Sequence, residues 1–206
     1  ATHGAGMIDH ALYRSHTVFG NAFTLTKQRH EEQKGQRART LWFTGLSASG
    51  KSTLADSVAK ALFAEGRHVY VLDGDNLRLG LNKDLGFTES DRVENIRRAS
   101  EVARVLTDAG LIVLATFISP YRTDRLAVRG RFAPGDFAEI VVDTPLETCI
   151  QRDPKGLYKK AMAGDIPNFT GISAPFEEPE NPDLHLDGTK PLEELTGDVL
   201  RFIGAL

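Results

Sequence analysis

Cysteine is nearly missing from this chain: Cys149 stands alone among 206 residues. No intramolecular disulfide can form. With no matching Cys/His cluster beside it, the thiol reads as a small buried apolar residue. Long hydrophobic runs are missing too. The longest strongly apolar one, Leu111 to Ile118, is far short of the roughly 20 residues that cross a bilayer, and nothing reads as a secretory signal. No membrane partner and a cytoplasmic location are expected. A large charge of either sign is also lacking. The formal net charge is -3, so no global field recruits nucleic acid, and anionic ligands must be held by a few local cations. No internal repeat is visible. With 41% hydrophobic and 26% charged residues, the remainder is the make-up of one α/β domain with room for a tail or a lid.

Residues 1–38 show no sustained period. They hold His3, His10, His16 and His30, whose spacings match no zinc pattern. This stretch reads as a polar tail, with a charged linker or surface helix from Gln28 to Arg39. Residues 39–206 read as the folded domain. Leu41–Thr44 is a short β-prone run, and Leu54, Val58 and Leu62 mark one face of a helix that ends near Gly66. Val69–Leu72 is a second strand. Val93, Ile96, Val102 and Leu106 mark a long helix closed by Gly110. Leu111–Ile118, apolar throughout, suits a parallel strand covered on both faces. A helix over Arg122–Phe132, a strand at Glu139–Val142 and a Pro145-initiated helix follow. Leu192, Leu195, Val199, Phe202 and Leu206 make a last amphipathic helix. Alternating strands and helices predict an α/β fold: a parallel sheet of the P-loop type, with helices on both faces and ligands at the carboxyl ends of the strands. Between about 153 and 182 the pattern breaks into a Gly-, Pro- and Lys-rich stretch that reads as a functional lid.

After the first strand comes GLSASGKST: Gly45, Leu46, Ser47, Ala48, Ser49, Gly50, Lys51, Ser52 and Thr53. The run fits G-x-x-x-x-G-K-[ST] in the required strand–loop–helix setting. Gly45 and Gly50 let the backbone curl so that N–H groups point at a phosphate. The following helix adds its positive end. Lys51 supplies a charge for the β- and γ-phosphates of ATP, and the Ser52 hydroxyl is a ligand for Mg²⁺. Ala48 stands where related loops often have glycine. A GTPase reading fails on Asn82-Lys83-Asp84-Leu85, which carries Leu where the guanine-reading Asp belongs. The third strand ends in FIS instead of an acidic metal ligand, so that ligand must come from elsewhere. The second strand ends in DGDN, Asp73 to Asn76. Its two carboxylates can serve metal and acceptor hydroxyl, although the same four residues make good turn chemistry.

From here the chain resembles the adenylyl-sulfate (APS) kinase family. The blocks DGDNLRLGLNKDLGF, ESDRVENIRR, FISPYRTDR, DPKGLYKKA, NFTG and PENP follow that family in order and spacing, from about Thr40 to the C-terminus. The resemblance implies phosphorylation of the 3′-hydroxyl of APS by ATP to give PAPS, and a homodimer. It places Asp75, Asn76, Arg78, Phe87, Arg92, Asn95, Ile118, Ser119, Lys155, Asn168 and Phe169 around APS. The chemistry agrees. Phe87 and Phe169 offer flat apolar faces to adenine, and Arg78 and Arg92 offer forked donors to anionic oxygens. Arg92 and Asn95 share a helical face. Lys51, Asp75 and Ser119 are the expected catalytic residues, and Ser52 and Asp73 the expected metal ligands. Asp75 orients the hydroxyl and takes its proton. Ser119 matches a serine sometimes described as a phosphoserine intermediate, but direct in-line transfer needs no such step. The rival readings are a P-loop kinase for another nucleoside or small hydroxyl metabolite, a nucleotide-binding module without catalysis, and one domain of a fused sulfate-activating protein.

Overall fold

The computed structural model describes residues 19–204. The expectations for His3, His10, His16 and Leu206 fall outside them. Five strands form one parallel sheet: β1 (Arg39–Thr44), β2 (Val69–Asp73), β3 (Ile112–Thr116), β4 (Phe137–Asp143) and β5 (Leu184–Asp187), in the order β2-β3-β1-β4-β5. Every residue of β1 is buried, as its central place requires. The pleat sends Leu41 and Phe43 to one face and Trp42 to the other. The first face packs on Leu54, Val58 and Leu62 of α2 (Lys51–Ala64) and on Leu195 and Val199 of α8 (Leu192–Gly204). The second packs on Ile96, Ala99 and Ala103 of α4 (Glu89–Asp108), where Trp42 stacks on Phe117 with ring centroids 4.7 Å apart. This is the doubly covered parallel sheet that the alternating pattern predicts.

Some local expectations shift. Val93 was expected on the buried face of α4 but is 43% exposed. Arg92 and Asn95 take the inward positions of the first two turns of α4, and Val93, one step around the helix from Arg92, is turned out. The helix expected over Arg122–Phe132 is α5 (Arg122–Arg129), and Phe132 turns away to pack on Phe137. Strand β5 was missed. It is four residues long, and only Leu186 is buried, so it carries little of the apolar signal of a covered strand.

Within residues 1–38, α1 (Lys27–Lys34) is capped by the Thr26 hydroxyl at one end and by left-handed Gly35 at the other. It buries none of its own residues. Lys27 pairs with Asp136, and the chain that follows ties the helix down further. Gln36 donates to the Gly110 carbonyl at 2.8 Å and accepts from the His68 N–H at 2.8 Å, so the peptide just before β1 is stitched to the ends of two neighbouring segments. In the 153–182 stretch, α7 (Leu157–Met162) follows α6 (Leu146–Arg152). Tyr158, Ala161 and Phe169 close with Cys149 over a third small core. The far end of this stretch is held by the Glu177 N–H on the Pro120 carbonyl at 2.8 Å. Among the described residues, no helix is long and apolar enough to cross a membrane.

Candidate active site

The loop after β1 is shaped by where its carbonyls go. Lys51 Nζ donates to the Gly45 and Leu46 carbonyls at 2.9 and 2.6 Å. The Tyr158 hydroxyl donates to the Ser47 carbonyl at 3.0 Å, and Thr144 Oγ1 to the Ser49 carbonyl at 2.9 Å. Arg152 bridges Ser49 O and Gly188 O at 3.3 and 2.9 Å. The Ser49 N–H donates to the Leu46 carbonyl at 3.2 Å; the loop's other N–H groups and the first turn of α2 are suited to meeting an anion. Gly45 is required here: a Cβ on it would sit 2.6 Å from the Val142 carbonyl. Ala48 takes a left-handed φ of 59°, a conformation that costs a non-glycine residue about 1–2 kcal/mol. Burial pushes the Lys51 amine down to about 8. A cavity of about 560 Å³ opens beside the loop. It is lined by Ser47 to Leu54 and, beyond the motif, by Arg152, Gly188 and Lys190.

The DGDN turn meets this loop directly. Asp73 Oδ2 accepts from Ser52 Oγ at 2.9 Å and from Thr116 Oγ1 at 2.8 Å. Its Oδ1 caps α3 (Gly74–Leu79) by accepting from the N–H groups of Asp75 and Asn76. Burial alone would raise the Asp73 carboxyl, but these hydrogen bonds outweigh it and hold the group below the usual carboxylate range. Turn chemistry and site chemistry are therefore one arrangement. Gly74 is closely packed as well: a Cβ there would come within 3.0 Å of the Phe117 ring. Asp75 and Asn76 stand exposed at the amino end of α3, and Asp75 pairs with Lys155 from the lid. Ser52 and Asp73 together offer two hard oxygen donors at the head of α2, a set that suits Mg²⁺ completed by phosphate and water. No cluster of three or more His, Cys, Asp or Glu able to hold a metal occurs among the described residues.

Across the cleft, Arg78 lies over the Phe87 ring at 4.4 Å and Arg92 lies near the same ring at 5.7 Å. Phe87 is 55% exposed, so it is not core. Both guanidiniums direct their hydrogen bonds to carbonyls: Arg78 to Leu85 and Gly86, Arg92 to Phe87 and to Asn168 of the lid at 2.7 Å. Arg78 is pushed down by burial and then by the charge of Arg92. Asp75 and Asp91 offset part of this, but two cations that hydrogen-bond only to carbonyls still favour an anion in that space. Asn95 is buried one turn further along α4, and Ile118 is half-buried beside the end of β3.

Two expected residues are placed differently. Ser119 is 1% exposed. Its hydroxyl accepts from Trp42 Nε1 at 3.1 Å and donates to Thr44 Oγ1 at 2.9 Å. Buried between these two partners, the hydroxyl braces the cleft wall. Phe169 is 7% exposed and lies edge-on to Tyr158 at 5.0 Å. Its ring belongs to the lid's own core and does not present an open face. Thr144, Arg152 and Tyr158 went unnoticed in the sequence because they lie 95 to 111 positions from the loop they hold, and no short motif marks them.

A parallel sheet with a phosphate loop at the end of β1 and an acidic turn at the end of β2 defines a nucleotide-binding P-loop protein of the small-kinase type. The family described as adenylylsulphate kinase matches residues 37–187, and the chain belongs to it. An adenylyl-sulfate kinase of Geotalea uraniireducens is 54% identical over 181 residues, covering 87% of each chain. The bifunctional enzyme NodQ of Rhizobium sp. (strain BR816) is 58% identical over 94% of this chain, but this chain spans only 30% of that protein. Among solved structures, the Mycobacterium tuberculosis APS kinase CysC in complex with AMPPNP and APS is 50% identical with a TM-score of 0.79, covering 82% of this chain and 98% of that one.

Proposed function

We propose that the chain transfers the γ-phosphoryl group of ATP to the 3′-hydroxyl of APS, giving PAPS and ADP. The observation that carries this reading is the Arg78–Phe87–Arg92 group: an exposed aromatic face flanked by two cations whose hydrogen bonds go to carbonyls and not to carboxylates. It suits a substrate that joins an adenine to phosphate and sulfate. A sugar or a neutral metabolite would leave those cations unused.

ATP lies along the loop, with its phosphates on the N–H groups of Gly45–Thr53, and its oxygens replace the loop carbonyls as partners of Lys51. The cavity walls at Arg152, Gly188 and Lys190 serve the nucleoside end. Ser52 and Asp73 would hold Mg²⁺, which supplies positive charge against the transferred phosphoryl group. Asp75 orients the 3′-hydroxyl and accepts its proton as the oxygen–phosphorus bond forms and the bond to ADP breaks. Asn76, Arg78, Phe87, Arg92 and Asn95 hold APS, with Ile118 at the cleft wall. Lys155 and Asn168 act from the lid (about 153–182), Phe169 supports them from the lid's core, and lid closure excludes water. Positioning and fixed charge supply most of the rate. A homodimer and a cytoplasmic location belong to the same reading: the first is carried by the family resemblance, the second fits a lone buried thiol and an ATP-consuming step.

The test is a coupled ADP-release assay over a panel of hydroxyl acceptors. Release that depends on APS and is weak with nucleosides, gluconate and shikimate supports the reading. Indifference to APS sinks it. Light scattering of the purified chain checks the dimer.

A further inference from the structure

We propose that Asn82 is a positioning residue for acceptor recognition: it fixes the Asn95 amide so that its NH₂ end faces the substrate. The proposal rests on the APS reading above and deepens it. Asn82 lies in the turn after α3, within the four residues that fail as a guanine motif. The turn is rigidly held. The Asn82 N–H donates to Leu77 O at 2.8 Å, and its carbonyl accepts from Leu85 N–H at 3.0 Å. Arg98 of α4 clamps both sides of the turn, donating to Leu81 O at 3.2 Å and to both carboxylate oxygens of Asp84 at 2.7 and 2.9 Å.

The Asn82 side chain is fully buried. Its Nδ2 donates to Asn95 Oδ1 at 3.0 Å. An asparagine amide has one acceptor end and one donor end. With the Asn95 oxygen taken, only its NH₂ remains to be presented, on the helical face it shares with Arg92. This face of α4 and its neighbour Arg78 then offer two guanidiniums and one amide NH₂, donors matched to a substrate rich in acceptor oxygens. Asn82 Oδ1 is buried with no partner. A polar residue kept in a fully buried position with its acceptor unsatisfied is poorly explained by stability, since an apolar residue of similar size would avoid that cost. An orienting role explains it.

The experiment is steady-state kinetics of the full chain with APS and with ATP. Asn82→Leu is expected to raise the KM for APS about tenfold, the scale of one lost or misdirected hydrogen bond, with kcat and the KM for ATP unchanged within about twofold. Asn82→Asp keeps the shape but only accepts. Asn95 must then turn its NH₂ inward, and the KM for APS rises at least as far. If the Leu variant does not fold, the Asp variant decides. In an Asn95→Ala background, Asn82→Leu is expected to have no further effect on the KM for APS, because the two residues act as one unit. The proposal is overturned if Asn82→Asp is tolerated, if the shift persists in the Asn95→Ala background, or if the KM for ATP moves in parallel. A wild-type chain that ignores APS sinks the functional reading, and this proposal with it. An active wild type with indifferent Asn82 variants sinks this proposal alone.

Discussion

The two sides of the cleft are assembled by opposite means. The phosphate loop is a continuous run from Gly45 to Thr53, in which Lys51 reaches carbonyls five and six positions back, while Thr144, Arg152 and Tyr158 brace its other carbonyls from 95 to 111 positions away. The acceptor side comes from the turn after β2, the first turns of α4 and a lid residue 76 positions from the arginine that holds it. A continuous run can specify its own curvature. A discontinuous site depends on the core that brings its parts together, so lesions on the two sides should separate binding of ATP from use of the acceptor.

Asp75→Asn should have the largest effect. It lowers kcat by about 10²–10⁴-fold, the usual share of a positioned general base, while calorimetry still shows ATP binding. Lys51→Ala should lower kcat by about 10²–10³-fold, the cost of one preorganised donor, and unlike Asp75→Asn it should weaken ATP binding too. Equal damage from both variants to both measurements would erase the distinction between the two sides.

The pH dependence sharpens it further. Burial lowers the Lys51 amine from 10.5 to about 8. Below that value the charged amine can hold phosphate, and as pH rises through it the charge is lost. ATP affinity should then fall, approaching tenfold per pH unit. Stability runs the other way. The unfolded chain keeps the Lys51 proton up to 10.5, so this residue's contribution to stability increases from about pH 8 to 10.5. An ATP titration from pH 7 to 10 that stays flat would remove Lys51 from the phosphate site.

Smaller effects follow at the walls. Ser119→Ala should cost about 1–3 kcal/mol of stability by stripping partners from buried Trp42 and Thr44, yet leave kcat within about threefold. A collapse of kcat would restore the catalytic serine. Ala48→Gly should raise stability by about 1 kcal/mol by relieving the left-handed φ, read as an increase in melting temperature.

Legibility followed the same division. The strands and helices around the covered sheet were readable because Leu54, Val58 and Leu62, or the unbroken run at Leu111–Ile118, repeat at the period of their element. Strand β5 was not, because a half-exposed edge strand with one buried residue has no such repeat. The roles of Thr144, Arg152 and Tyr158 were invisible for a related reason: each holds the loop through a single long-range bond to a carbonyl, and carbonyls have no sequence identity.

The order of residues by itself determined the phosphate loop, the acidic turn after the second strand, the parallel sheet and the family. These rest on local backbone demands and on periodic burial, both written in neighbouring residues. Only the tertiary structure decided that the Ser119 hydroxyl is buried between Trp42 and Thr44, that Phe169 sits in the lid's core, that Arg78 and Arg92 share one ring, and that Asn82 grips Asn95. Those outcomes turn on which side chains from distant segments compete for the same buried space and the same hydrogen-bond partners, and that competition exists only once the chain has folded.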